Sequence, residues 1–153
     1  MWYYFTADLS NELTLKNWME NAISELQERK ALPFTIIDSQ TNEIIGTTRI
    51  GNMSAINNRV EIGWTWIAKK YQGTGINGHV KKLLFEYLFM ETNTLRIEFK
   101  TDILNIPAKK AMEKVGLIKE GVLRSHTLMT NNRRRDTIYY SILKDEWMKI
   151  KNA

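Results

Sequence analysis

The 153 residues include no cysteine. That excludes disulfides, thiolate-ligated zinc and a cysteine nucleophile together. With only two histidines, His79 and His126, a histidine-rich metal site is not expected. Two prolines and eight glycines leave no Pro/Gly-rich linker, and the length suits one domain, residues 1–153, with a real core. No run of about 18 apolar residues is present, so no membrane span is expected. The start, MWYYFTADLS, lacks the basic, apolar and small-residue zones of a signal peptide. The expected location is cytoplasmic. Acidic residues are in the minority: 22 Lys and Arg against 17 Asp and Glu give a net charge of +5. This favours an anionic ligand or partner, without separating a nucleotide from a nucleic acid.

What is present is periodicity. Ser10 can cap a helix with Glu12 in its first turn. Leu15, Trp18, Met19, Ala22, Ile23 and Leu26 then form an apolar stripe to about Arg29. Strands are predicted over 34–38 and 43–50, around the polar turn 39–42, with a loop over 52–58. From Arg59 a strand alternates: Val60, Ile62, Trp64 and Trp66 on one face, Glu61, Gly63, Thr65 and Ile67 on the other. A helix follows whose stripe is Ile76, Val80, Leu83, Leu84, Tyr87 and Leu88. A strand over 95–102 precedes a short helix with Asn105 as cap, Pro107 in its first turn and Gly116 at its end. Strands over 117–129 and 133–143 flank a tight turn at Asn131-Asn132, and helical turns over 144–150 close the chain. The order predicts one α/β domain with a mixed sheet of about six strands flanked by helices.

Between the alternating strand and its helix lies Gln72-Gly73-Thr74-Gly75-Ile76-Asn77. A glycine turn opening a helix is an anion site, because the first N–H groups have no internal partner and the dipole is positive there. It is also the form of an ordinary glycine-rich connection. The Gly-x4-Gly-Lys-Ser/Thr pattern of a P-loop is absent. Gly73, Gly75 and Gly78 meet the spacing of a dinucleotide fingerprint. The preceding strand, however, carries a glutamate and two tryptophans rather than an aliphatic run, and no repeated βαβ units follow. Lys69, Lys70, Lys81, Lys82, Lys109 and Lys110 fall near two helix starts; most read as solvated charges, with one or two placed to meet a phosphate. The run Arg133-Arg134-Arg135 reads as a nucleic-acid patch or, more commonly, as a hairpin with solvated arginines. The aromatics alternate within strands, as core does, so nucleic acid is not the expected partner.

Gln72 to Asn77, read as Q-x-x-G-x-G/A with Asn in the last place, resembles motif A of the GNAT acetyltransferases. The string YQGTGIN is similar to the ribosomal-protein N-acetyltransferase branch, and the resemblance runs from about Trp18 to Trp147. It implies acetyl-CoA as co-substrate and no metal. The amides of Gly73, Thr74, Gly75, Ile76 and Asn77, with Gln72, would hold its pyrophosphate. The backbone of Trp66, Ile67 and Ala68 would pair with the pantetheine, and Asn105 would contact the cofactor arm as well as cap its helix. Glu61 would be the general base, with Glu98 and Asp102 as weaker candidates. The acetyl group would pass directly to a primary amine, either a protein N-terminus or a small molecule. A non-catalytic acyl-CoA-binding domain is the alternative.

Two departures from the family pattern stand out. Met112 occupies the place of the usual thiolate-protonating tyrosine, and a thioether donates no proton. Water, Ser125, His126, Tyr139 or Tyr140 would have to assist. The family also usually begins with a strand and helix ahead of the first helix predicted here. The sheet edge left open is expected to be covered by a second copy, as a homodimer, or by residues 1 to 9.

Overall fold

The computed structural model describes residues 2–130 and 132–152. Its strands are β1 (Leu32–Ile37), β2 (Ile44–Ser54), β3 (Arg59–Ile67), β4 (Arg96–Asp102), β5 (Ile118–Leu128) and β6 (Arg134–Leu143). Its helices are α1 (Glu12–Gln27), α2 (Ile76–Glu91), α3 (Ile106–Lys114) and α4 (Lys144–Lys151). One sheet has the order β1-β2-β3-β4-β6-β5. Only β3 and β4 pair in parallel; the other neighbours are antiparallel. The expected mixed sheet of six strands is therefore present. β2 continues to Ser54, into the segment expected as loop. Asn11, not Ser10, caps α1: its Oδ1 accepts from the Leu13 amide at 2.8 Å, while Ser10 turns its hydroxyl to Asp8.

The main core lies between the sheet and α2, α3 and α4. Ile50, Ile62, Ile97, Ile138 and Ile142 meet Phe85 and Phe89 of α2, Met112 of α3 and Trp147 of α4. Phe85 is the hub, edge-on to Phe99 at 6.0 Å and to Trp147 at 5.5 Å. The apolar stripe of α2 differs from expectation. Leu83 and Tyr87 are exposed, and the buried face is Lys81, Leu84, Phe85, Leu88 and Phe89. These positions follow i, i+3, i+4, i+7, i+8, so a lysine heads the buried stripe.

The opposite face carries α1. Arg49 of β2 is stacked between Trp18 of α1 and Trp64 of β3 and pairs with Glu25 at 2.6 Å. Of the expected α1 stripe only Ala22 is buried; Met19, Ile23 and Leu26 are exposed.

The strict alternation predicted for β3 fails at Trp64. Arg49 pairs with Gly63 but Thr47 with Trp66, so β3 holds one extra residue there. Trp64 adopts φ +51°, a β-bulge in a left-handed backbone. Beyond it the faces exchange. Val60 and Ile62 face α2, and so does Ile67, which packs with Ile36, Ile45 and Ile76. Trp64 instead lies over Arg49, and Trp66 meets Trp2 edge-on at 5.9 Å. Gly51 makes room for the bulged ring: a Cβ there would stand 2.9 Å from Trp64 Cζ3.

β3 pairs with β4 only from Arg59 to Glu61, against Arg96 to Glu98. From Ile62 onward the two parallel strands diverge, leaving a V-shaped gap whose vertex is Glu61.

Residues 2–9 form no strand on the outer edge of β1 and so do not cover that edge as one expectation had it. Trp2 and Phe5 pack on Trp66 and Trp18, and Tyr3 lies under the Arg133 guanidinium at 4.9 Å. The turn expected at Asn131-Asn132 includes Asn131, outside the described residues; Met129 N–H donates to Arg133 O at 2.9 Å beside it.

Candidate active site

The mouth of the gap is the loop from Gln72 to Asn77. Gly73 (φ +80°) and Gly75 (φ +91°) hold backbone conformations that β-carbons disfavour. A Cβ built on either would meet nothing within 4 Å, so the loop faces open space. Gly75 caps α2, and among the described residues no side chain bonds the first-turn amides. Those N–H groups and the helix dipole are thus available to an anion. This cradle fits a pyrophosphate. Gln72 is turned back: its Nε2 donates to Ile67 O at 2.8 Å, tying the loop to the end of β3. Thr74 donates to Tyr71 O at 2.7 Å. Of the strand groups singled out with Trp66 and Ile67, the Ala68 amide is committed to Ile45 O of β2 at 2.7 Å.

At the vertex, Glu61 is 5% exposed. Its Oε2 accepts from Asn52 Nδ2 at 2.7 Å and from Lys100 Nζ at 2.9 Å. Oε1 has no hydrogen-bond partner among the described residues. The carboxylate opens on a cleft of about 440 Å³ on the α1 face, lined also by Arg59, Glu98, Lys100 and Tyr139. Glu98, the weaker candidate base, is engaged by Arg59 and Arg96. Asp102 is fully buried, pairs with Arg133 and accepts from the Leu104 amide at 3.0 Å. Both are held by structure.

Asn105 caps α3 as expected: Oδ1 accepts from the Ala108 amide at 3.2 Å and Nδ2 donates to Thr101 Oγ1 at 3.1 Å. Met112 is in the core. Of the groups considered in its stead, Tyr140 is already committed. It is buried against α3 and donates to Glu113 Oε1 at 2.8 Å; burial, then that carboxylate, push its phenol up to about 12. Tyr139 lines the cleft with Glu61, and His126 stands edge-on to it at 6.1 Å. Ser125 donates its backbone N–H to Asp136 at 2.7 Å.

The arginine run is not a solvated patch. Arg133 reaches Asp102 and Tyr3, and Arg135 is buried and donates to Thr137 at 3.0 Å. Burial pushes the Arg135 guanidinium down from its usual range. Arg134 alone of the three is exposed, donating to Ser125. Among the lysines near the helix starts, Lys70 is paired with Glu43 at 2.6 Å.

Lys81 is the residue whose burial the periodicity reading missed. It is 6% exposed, with Nζ 2.7 Å from Asn77 Oδ1 and 5.9 Å from the Phe99 ring centroid. It makes no ion pair among the described residues, and burial pushes its amine down to about 8. The signal was its spacing, three and four residues before Leu84 and Phe85. Among the described residues no group of His, Asp and Glu could hold a metal, and no helix is long and apolar enough to cross a membrane.

Residues 1–118 match the acetyltransferase (GNAT) domain model. The chain is 33% identical over 104 residues to the "Putative ribosomal N-acetyltransferase YdaF" of Bacillus subtilis (strain 168), covering 68% of this chain and 56% of that one. It is 32% identical over 120 residues to an uncharacterized N-acetyltransferase, p20, of Bacillus licheniformis, covering 78% and 66%. The chain thus spans less than two thirds of the length of these curated relatives. The crystal structure of a GCN5-related N-acetyltransferase from Brucella melitensis superposes with a TM-score of 0.88 over 99% of this chain and 67% of that one, at 22% identity. Fold, loop and sequence agree: the chain belongs to the GNAT acetyltransferase family.

Proposed function

We propose that the protein is an acetyl-CoA-dependent N-acetyltransferase that moves an acetyl group directly to a primary amine. The observation that carries this reading is the gap itself, with an open glycine cradle at its mouth and a buried carboxylate at its vertex. Acetyl-CoA brings an activated acyl carbon with a thiolate leaving group. The amides from Gly73 to Asn77 hold its pyrophosphate, Asn105 meets the arm, and the backbone of Trp66 and Ile67 on the unpaired side of β3 orients the thioester. Glu61 Oε1, the oxygen without a donor among the described residues, takes the proton from the acceptor amine. The acceptor enters through the cleft on the α1 face. The name of the Bacillus subtilis relative, a putative ribosomal N-acetyltransferase, favours a ribosomal acceptor over a free small amine.

Calorimetric titration with acetyl-CoA tests the cradle. Binding by the unaltered protein should be lost in Gly75→Asp, which places a β-carbon and a negative charge at the phosphate position; no binding by the unaltered protein overturns the reading. Glu61→Gln should keep the affinity and lower kcat by about 10²–10⁴-fold, the usual worth of a general base. An unchanged rate removes Glu61 from the mechanism. Binding without CoA release on any amine would instead identify a non-catalytic acyl-CoA-binding domain, the reading that the burial of Met112 motivates.

A further inference from the structure

The sheet gap has two faces, and chemistry has been placed on only one. Glu61 serves the α1 face. On the α2 face, the buried stripe of α2 begins with an ammonium where its spacing calls for a hydrocarbon. Lys81 Nζ donates to Asn77 one turn back, in the first turn of α2 just after the glycine loop, and lies against Phe99 of β4, the strand across the gap. Its charge therefore sits between the first turn of α2, which the glycine cradle opens, and the ring of Phe99 on β4. The ionisable groups sharing this side do not neutralise it. On β6 and α3, Tyr140 and Glu113 bond each other; beside the loop, Tyr71 and Lys70 both bond Glu43. On β4 the residues of this face are Ile97, Phe99 and Thr101, none of them titratable. A neutral carbonyl oxygen of Asn77 is its one hydrogen-bond acceptor among the described residues, so two of its three protons have no acceptor.

We propose that Lys81 is a catalytic residue that protonates the departing CoA thiolate, the role left vacant by Met112. The inference rests on the acetyl-CoA reading of the site. As the amine nitrogen bonds to the acyl carbon, Glu61 takes the proton from that nitrogen. The C–S bond breaks with its electron pair passing to sulfur, and Lys81 Nζ gives one proton to that sulfur, leaving CoA as the thiol and the lysine as a neutral amine. The proton on Glu61 returns to Lys81 through solvent, restoring both groups. Acid and base thus act from opposite faces of one gap, matching entry of the nucleophile on one side and exit of sulfur on the other. Burial, which brings the amine down to about 8, makes it a stronger acid near neutral pH than a solvated lysine.

The experiment compares CoA with desulfo-CoA by calorimetry, on the unaltered protein and on Lys81→Met, whose unbranched side chain suits the buried position. A charge-assisted contact to sulfur should make CoA bind about tenfold tighter than its desulfo analogue, and the preference should vanish in Lys81→Met. In turnover, kcat of the unaltered enzyme should fall above about pH 8 as Lys81 loses its proton. Lys81→Met should show a kcat lowered about 10²-fold, without that alkaline limb and with KM for acetyl-CoA unchanged. Equal affinity for the two ligands in the unaltered protein overturns the role of Lys81 while leaving the cradle standing. Failure of both to bind overturns the cradle and the inference with it. The ligand comparison on the unaltered protein needs no variant to fold.

Discussion

A buried ammonium held by one neutral acceptor is a cost to the fold, and its sign can be worked out. The amine of Lys81 is pushed down from 10.5 to about 8 in the folded protein. Between those pH values the unfolded chain binds the proton and the folded chain does not, so this group makes stability rise with pH across that window. Below about pH 8 the penalty is fully present, and the shift corresponds to roughly 3 kcal/mol. Lys81→Met removes it. The variant should be the more stable form at pH 7, and its advantage should shrink as pH rises from 8 towards 10. Urea denaturation of both proteins at a series of pH values measures this directly; an advantage that stays constant with pH would show that Lys81 is not desolvated. A variant both more stable and less active is the expected signature of a residue kept for chemistry.

At the level of the element, the bulge in β3 organises the site. It lies just beyond the end of the pairing with β4, along the gap, and exchanges the faces of Trp66 and Ile67. It depends on close approach by β2, where a Cβ on Gly46 would stand 2.3 Å from Trp66 O and 3.2 Å from Ile67 Cα. Both are backbone atoms and cannot rotate away. Gly46→Ala should therefore cost about 1–3 kcal/mol, lowering Tm by several degrees, and should weaken acetyl-CoA binding because the end of β3 must shift. Gly121→Ala, in β5 with nothing within 4 Å, is the control and should change stability by less than about 1 kcal/mol. Equal effects at the two glycines would remove the special role of β2. The same bulge explains what the sequence could and could not convey. The glycine loop, the Asn105 cap and the order of strands and helices depend on local chemistry and were legible from it. Period 2 counts residues, however, and one inserted residue inverts every face beyond it, so the side chains of Trp66 and Ile67 were assigned to the wrong faces. The arginine run looked solvated because its acidic partner, Asp102, lies on a strand 31 residues away. Lys81 looked solvated because charge was weighted above position in the stripe.

At the scale of the molecule, the described residues leave one side poorly covered. Among the described residues β1 pairs only with β2, so its other edge presents unpaired backbone groups. Next to it, Ile37 and Ile44 are 52% and 72% exposed. On α1, Met19, Ile23 and Leu26 fall on one exposed stripe at i, i+4 and i+7. Residues 2–9, which were one expected cover, pack instead towards Trp66 and Arg133. A net charge of +5 spread over 153 residues is too weak a repulsion to keep apolar edges apart at ordinary salt. A second copy of the chain meets both needs, pairing the strand edge and burying the stripe, and a specific contact of this kind requires about 1,200 Å² in total. Light scattering should thus give about twice the 18.0 kDa of one chain, and Ile23→Lys should shift the mass towards that of one chain while leaving acetyl-CoA affinity unchanged, because α1 lies away from the glycine loop. A single-chain mass for the unaltered protein at tens of micromolar would show that this side is content in water, and the homodimer would be withdrawn without touching the chemistry of the gap.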